Sequence, residues 1–243
     1  MKEAGKKWRN KIEWGLGGKE DPDAFLAIHD SFTTGDFYKM RAIMRAGMTW
    51  GKNKKTLDAR ADIKGKKLWR SESEFNLHKK MVIDFRRGID TAPEFEGIVY
   101  RGSRITEKKM QKTIRRLERK KTFTLEADSS GTRLEDVAQD FMTHSDRPVA
   151  LLYRFNQRSG KSIENASRFT SEGEVVIRQK TRFDLVKIHY KSDEVRARAI
   201  GDLFKFRRTK NVVFGKEEEL NLDSKEYFKN FPKADIIIEV EEI

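Results

Sequence analysis

The spacing of apolar residues along the chain changes at Pro93. Before this proline, apolar residues recur at intervals of three and four, as in Phe25, Ile28 and Phe32, which is the period of a helix. After it, short runs rich in Val, Ile and aromatic residues alternate with polar stretches, as the strands of a mixed sheet do. The sequence therefore predicts an α+β fold with a helical N-terminal part, 1–93, and a β core, 94–243.

The individual elements follow from these two periods. Strands are predicted at 97–101, 122–127, 149–155, 174–178, 183–190 and 236–243, and helices at 105–121 and 134–142. The first of these helices is predicted to turn Ile105, Met110, Ile114 and Leu117 inward. In the N-terminal part, a helix is predicted at 74–87 and is ended by Gly88 and Pro93. The basic segment 51–70 has no clear apolar stripe and is predicted to be an exposed loop or a frayed helix.

Length and composition limit the class of protein. The 243 residues contain no clear linker, so we expect one domain over 1–243, with the weakly patterned residues 191–235 inserted between two strands. The absence of cysteine excludes disulfides, thiolate zinc sites and a cysteine nucleophile. The four histidines lack ligand spacing, so no metal site is predicted. Neither a signal peptide nor a membrane span is recognisable, and we expect a protein of the reducing cytoplasm.

Three short motifs could carry chemistry. They are Tyr100-Arg101-Gly102 at the end of a predicted strand, Ser130-Gly131-Thr132, and Glu172-Gly173-Glu174 at the start of another predicted strand. Each motif alone has an ordinary interpretation as a surface arginine, a turn or helix cap, and a polar turn. It is their order along the chain that favours a functional interpretation.

In this order, the motifs resemble those of the Arg-Ser-Glu class of mono-ADP-ribosyltransferases, over roughly residues 95–190. The middle motif is followed, six residues after Thr132, by Ala138 in a Val-Ala-x-x-Phe pattern, as in the family. It departs from the family in having Gly131-Thr132 in place of Thr-Ser, which leaves Ser129 as an alternative hydroxyl. The resemblance implies an ADP-ribosyltransferase-like split β-sandwich core, NAD+ as co-substrate, and no metal.

The resemblance also implies roles for individual residues. Those implied to bind NAD+ are Arg101, Gly102, Ser130, Thr132 and Glu174. Those implied to act in catalysis are Glu174, Glu172, Arg101 and Ser130. The acceptor would be bound by Glu172 and by Phe169, which lies where the family's substrate-recognition turn often carries an aromatic residue. In the family, Glu at the first position of the Glu-x-Glu motif goes with transfer to arginine.

The chemistry of the reaction agrees with these residue types. Breaking the bond between nicotinamide and ribose builds an oxocarbenium-like centre, which a carboxylate such as that of Glu174 would stabilise. If the strand period of two already holds at Glu172, both carboxylates face the same side of the sheet. Glu172 would then orient and deprotonate a guanidinium. Arg101 offers a planar fork suited to phosphates.

The end of the chain shows a looser similarity to the small ADP-ribosyltransferases of T4-type phages. It consists of a strand at 183–188, a polar insertion, and an acidic closing strand at 235–241. This similarity implies a host protein as the target, in the host cytoplasm, and a target associated with nucleic acid in transcription or translation would suit the charge of the chain.

The charge of the chain leaves alternatives open. Lys and Arg number 52 against 39 acidic residues, a net charge of +13 that attracts polyanions. Segment 105–121 is either a solvated basic face or a docking surface for an acidic target or a nucleic-acid-bound protein. The acceptor could therefore be a nucleic acid, or the chain could be a non-enzymatic nucleic-acid-binding module. The sequence makes no prediction of oligomeric state.

Overall fold

A computed structural model describes residues 21–32, 37–47, 50, 69, 71–143, 145–201 and 222–243. These residues form two compact units. The first comprises the described residues up to Phe95 together with Leu125–Ser130 and Ser159–Lys180. The second comprises Glu96–Thr124, Gly131–Arg158 and the described residues from Thr181 onwards. Each unit is built from separate stretches of chain, and the expectation of one domain over 1–243 stays a prediction.

Helices account for most of the described residues of the first unit. They are α1 (Pro22–Leu26), which continues into a π-helix (Ala27–Phe32), α2 (Phe37–Ala46) and α3 (Glu72–Thr91). The side chain of Asp21 caps α1 by accepting a hydrogen bond from Ala24 N at 3.0 Å. Ser71 caps α3 in the same way, accepting from Glu74 N at 3.1 Å.

Helix α3 is longer than the sequence pattern predicts. The prediction that Gly88 ends this helix is wrong, because α3 continues through Gly88 to Thr91. A Cβ at Gly88 would lie 3.0 Å from Ile28 Cδ1 and 3.1 Å from Ala24 Cβ, so the glycine allows α1 to pack closely against α3. Pro93 does contribute to the end of the helix, since the residue before a proline avoids the helical conformation and Ala92 is extended.

The core of the first unit joins these helices to strand β5. Fully buried side chains in it include Phe25, Phe75 and Phe85 from the helices and Val176 from a strand. Within segment 51–70, the described part is Trp69, which is buried in this core, and the rest of the segment lies outside the described residues.

In the described residues from Glu94 onwards, the structure has seven strands and the remaining helices. The strands are β1 (Glu94–Ile105), β2 (Thr122–Thr124), β3 (Ser129–Thr132), β4 (Val149–Ser162), β5 (Glu174–Ile177), β6 (Arg182–Tyr190) and β7 (Ile236–Glu242). The helices are α4 (Glu107–Lys120), α5 (Glu135–Phe141), α6 (Asp193–Ile200) and α7 (Leu222–Asn230), and a 3-10 turn spans Thr170–Glu172.

Strand pairing can be given within each unit. In the first, the end of β4 pairs antiparallel with β5, with Lys161 opposite Val176. In the second, β4 runs parallel to β7, β7 antiparallel to β6, and β6 antiparallel to β2. Also in the second unit, β1 pairs antiparallel with β3, with Tyr100 opposite Thr132.

Most predicted elements of the β core are confirmed, with shifted ends. Helix α4 buries Met110, Ile114 and Leu117 as its apolar spacing predicts, but Ile105 is the last residue of β1. Strand β3 was not predicted as a strand. The predicted insertion 191–235 contains α6 and α7, and its residues 202–221 lie outside the described ones. Among the helices that the structure describes, none combines the length and the apolar character that crossing a membrane requires.

Candidate active site

Glu174 is a buried carboxylate held by a hydroxyl. It is the first residue of β5, and only 7% of its surface is exposed. Ser167 Oγ donates a hydrogen bond to Glu174 Oε2 at 2.8 Å, and Ser167 itself is 1% exposed. Burying a carboxylate is costly unless it is hydrogen-bonded, and a bond to an ionised acceptor is among the strong ones. This contact therefore both compensates the burial and restricts the orientation of Glu174.

The loop between β4 and β5, residues 163–173, is folded so that Ser167 reaches Glu174. Ile163 N donates to the backbone carbonyl of Glu174 at 3.0 Å, which closes the β4–β5 loop at its base. Ser167 N and Ala166 N both donate to Ile163 O, at 2.7 and 2.9 Å, which forms a tight turn. The side chain of Ile163 is buried in the core of the first unit, and this packing holds the turn in place.

Glu172 and Phe169 lie in the same loop. Glu172 ends the 3-10 turn, and its backbone N–H donates to Phe169 O at 3.0 Å. The side chain of Glu172 is half-buried, and this burial raises the pKa of its carboxyl group. Phe169 is 47% exposed, so its ring is accessible for contact with another molecule.

The period of two does not extend from β5 back to Glu172. Gly173 has a φ of 55° and a ψ of 44°, the left-handed conformation, so the strand begins only at Glu174. The argument that both carboxylates face one side of the sheet because of strand alternation therefore fails. It is the conformation of the turn, rather than strand geometry, that sets the direction of Glu172.

Ser130 and Ser129 open strand β3. Ser129 is buried, and its hydroxyl donates to Ala127 O and accepts from Arg41 Nη2, both at 3.2 Å. The alternative hydroxyl considered for the middle motif is thus engaged with the protein itself. Ser130 is half-buried and belongs, with Phe169, Glu172 and Glu174, to the first unit.

Hydrogen bonds of Asp128 and Gln179 hold the start of β3 in place. Asp128, which is buried, accepts hydrogen bonds from Gln179 N at 2.6 Å and from Arg86 Nε at 3.3 Å. The Gln179 side chain in turn donates to Met44 O and Glu126 O. The residues just before Ser130 are therefore tied to the end of β5 and to the helices of the first unit.

Arg101, Gly102 and Thr132 lie in the second unit. Arg101 is half-buried on β1, near the phenol of Tyr153. Burial raises the pKa of Tyr153 to about 12, and the positive charges of Arg101 and Arg116 act against this rise. The positive charge of Arg101 therefore lies close enough to Tyr153, on β4, to lower the pKa of its phenol.

The small residues of the first two motifs have packing reasons of their own. A Cβ at Gly102 would lie 1.9 Å from Ala138 O, and one at Gly131 would lie 2.8 Å from Tyr100 O. The Thr132 hydroxyl accepts a hydrogen bond from Leu134 N at 2.9 Å, which shapes the turn into α5. Glycine at these two positions allows β1 to approach α5 and β3, and roles for Gly102 and Thr132 in binding NAD+ stay predictions.

Of the site residues predicted from the sequence, four lie in the first unit and three in the second. That all of them converge on one cleft stays a prediction. Sequence reasoning missed Ser167 and Arg41, and neither carries a signal, because a serine in a polar loop and an arginine on a helix are both common at the surface. Among the side chains that the structure describes, no three His, Asp or Glu residues are grouped as metal ligands.

No protein-family model matches this chain, and no curated protein matches it in sequence. Its fold, however, is similar to that of solved ADP-ribosyltransferases. The structure of Vis in complex with the M6 inhibitor has 14% sequence identity and a TM-score of 0.57, over 100% of this chain and 85% of that one. Vis in complex with agmatine has 15% identity and a TM-score of 0.56, over 100% and 86%. The Vis toxin from Vibrio splendidus has 14% identity and a TM-score of 0.55, over 100% and 85%.

At this level of identity, the similarity concerns the fold. The chain is an α+β protein with an ADP-ribosyltransferase-like fold, as predicted from its sequence.

Proposed function

We propose that this protein transfers ADP-ribose from NAD+ to arginine side chains of another protein. The observation that carries the proposal is the buried carboxylate of Glu174, which Ser167 holds at the start of β5 in an ADP-ribosyltransferase-like fold. Glu172 lies two residues earlier, in the arrangement that the Arg-Ser-Glu motifs require.

The residues present fit NAD+. When bound, NAD+ supplies the ADP-ribosyl group and a nicotinamide that leaves as a neutral molecule. Glu174 is a suitable partner for ribose hydroxyls and for the positive charge that develops next to them, because electrostatic stabilisation is stronger in a site of low dielectric. Arg101 presents a bidentate fork that matches the diphosphate, and Ser130 offers a hydroxyl.

The choice of arginine as acceptor rests on Glu172 and Phe169. A guanidinium is fully protonated in water, so it needs a base in direct contact to act as a nucleophile. The raised pKa of Glu172 makes its carboxylate a stronger base than an exposed one. The exposed ring of Phe169 offers a face on which a guanidinium stacks. One of the structures with a similar fold, Vis, was solved with agmatine, which carries a guanidinium group.

The setting of the reaction is part of the same proposal. The looser similarity of the chain's end to T4-type phage enzymes supports a host protein as target, in the host cytoplasm. The net charge of +13 favours a target that is acidic or associated with nucleic acid.

The proposal is tested by incubating the protein with labelled NAD+ and either agmatine or cell extract. The wild type is expected to transfer label, and Glu174→Gln is expected to lower transfer by about 10³-fold while the protein stays folded. Glu96→Gln, at an exposed glutamate of β1, is the matched control and should retain transfer. Undiminished transfer by Glu174→Gln would refute the proposal.

The same labelled extract identifies the acceptor. Release of the label by protease, with modified arginine found by mass spectrometry, is the expected result. Release of the label by nuclease, with protease having no effect, would move the acceptor to nucleic acid. Salt-sensitive binding of nucleic acid without any NAD+ consumption would instead support the non-enzymatic alternative.

A further inference from the structure

Ser167 connects two parts of the candidate site that the sequence motifs treat as separate. Its hydroxyl donates to Glu174 Oε2 at 2.8 Å and accepts from Phe169 N at 3.1 Å. A serine hydroxyl has one hydrogen to donate, so donation to Glu174 uses its full donor capacity. The hydrogen bond from Phe169 N is then accepted by a lone pair of the same oxygen.

These two bonds join different functions. Glu174 is the carboxylate proposed to act on NAD+, whereas Phe169 begins the turn that carries Glu172, the group proposed to act on the acceptor. Ser167 is 1% exposed, so its hydroxyl is shielded from bulk water, and its removal would deprive Glu174 Oε2 of this donor. The Ser167 oxygen therefore connects the backbone of the β4–β5 loop at Phe169 to the Glu174 carboxylate.

Two hydroxyls considered for the middle motif, those of Ser129 and Thr132, have other hydrogen-bond partners. The Ser129 hydroxyl is bonded to Ala127 O and Arg41, and the Thr132 hydroxyl accepts from Leu134 N. Ser167 is outside all three sequence motifs, seven residues before Glu174.

We infer that Ser167 is a positioning residue for the proposed reaction, because its hydroxyl fixes the orientation of Glu174 and ties the acceptor-binding turn to that carboxylate. This inference rests on the proposed function. It predicts that Ser167 affects the chemical step more than the binding of NAD+.

The test uses Ser167→Ala in the full chain. The kcat of NAD+ hydrolysis should fall roughly 10- to 100-fold, the range for loss of one hydrogen bond to a charged group, with KM for NAD+ within about two-fold of wild type. Donation to a carboxylate favours its ionised form, so loss of the hydroxyl should move the acid limb of the kcat profile to higher pH. A role limited to stability would not move this limb.

Two further variants control for folding and for the loop itself. Ser167→Cys fills a similar space with a weaker donor, and it should show the same change in the acid limb even if Ser167→Ala is poorly folded. Asn165→Ala removes an exposed polar side chain from the same loop, outside the turn that carries Glu172, and should leave kcat unchanged. Amide hydrogen exchange provides a readout independent of activity, because the N–H of Phe169 should exchange faster in Ser167→Ala.

The outcomes separate this inference from the proposed function. A wild type that does not consume NAD+ would refute the proposed function, and the inference with it. A wild type that consumes NAD+ beside an equally active Ser167→Ala would overturn the inference alone. So would a lower kcat in both Ser167 variants with an unchanged acid limb.

Discussion

The β4–β5 loop and the segment around Gly102 and Thr132 use their motif residues in different ways. In the loop, side chains hold a functional group, since the Ser167 hydroxyl is bonded to the Glu174 carboxylate. Around Gly102, backbone packing accounts for the motif, since a Cβ there would overlap Ala138 O. The proposed chemical role of Glu174 and the packing role of Gly102 are therefore expected to respond differently to substitution.

The largest effect that separates the two regions is expected for Glu172→Gln. This variant keeps the shape of the side chain but removes the base, so transfer to agmatine should fall by about 10² to 10⁴-fold while NAD+ hydrolysis continues. Measuring both reactions on one preparation checks this, and an equal loss of both would show that Glu172 acts on NAD+ rather than on the acceptor.

The pH dependence of transfer is a second test of whether Glu172 acts as a base on the acceptor. Because burial raises the pKa of Glu172, its protonated form persists to higher pH than in an exposed glutamate. Wild-type transfer should therefore be lost on acidification at a pH above the usual range of glutamate, 4.5, and the acid limb of hydrolysis should not follow Glu172. Coincident acid limbs for the two reactions would argue against this role.

In the other region, Gly102→Ala should act mainly on stability. Its Cβ would meet a backbone oxygen that cannot move without shifting α5, so we expect a loss of about 3 kcal/mol in the free energy of unfolding, measured by urea denaturation. Gly88→Ala is the matched control. Its neighbours are side-chain atoms at 3.0 and 3.1 Å, and the higher helix propensity of alanine offsets part of the crowding. Equal losses in both variants would contradict the packing explanation.

The smallest effect is expected for Thr132→Val. It removes the acceptor for Leu134 N, and the cost should be about 1 kcal/mol in the free energy of unfolding. The KM for NAD+ distinguishes the two interpretations of this threonine. An unchanged KM leaves Thr132 with a purely structural role, whereas a marked increase places it in the NAD+ site, as the family resemblance implies.

Local patterns predicted the elements whose cause is local. The inward positions of α4, Met110, Ile114 and Leu117, follow from a helical stripe within one segment, and they are confirmed. Strand β3 was missed because Ser-Ser-Gly-Thr has little strand propensity, and its conformation depends on pairing of Thr132 with Tyr100 of β1. The prediction that Gly88 ends a helix was wrong for a similar reason. Its role depends on packing against Ala24 and Ile28, which are distant in sequence.

The candidate site shows the same limit. The order of the three motifs identified Glu174, and the structure places it as a buried group at the start of a strand. The direction of the Glu172 side chain could not be predicted from strand alternation, because Gly173, between the two glutamates, adopts the left-handed conformation. Ser167 was not identified, because nothing in a polar loop indicates which hydroxyl will reach a carboxylate seven residues away.

The bond from Ile163 N to Glu174 O has a consequence for how such an enzyme could change its targets. Backbone atoms make this closure, so it places few demands on the side chains between its two ends. Substitutions at the exposed positions of the loop, such as Phe169, could therefore accumulate without displacing the Glu174 carboxylate, which we propose acts on NAD+. Target choice could then change during evolution while cleavage of NAD+ is retained. Ser167 would be the exception, because its hydroxyl contacts both Glu174 and the backbone of Phe169.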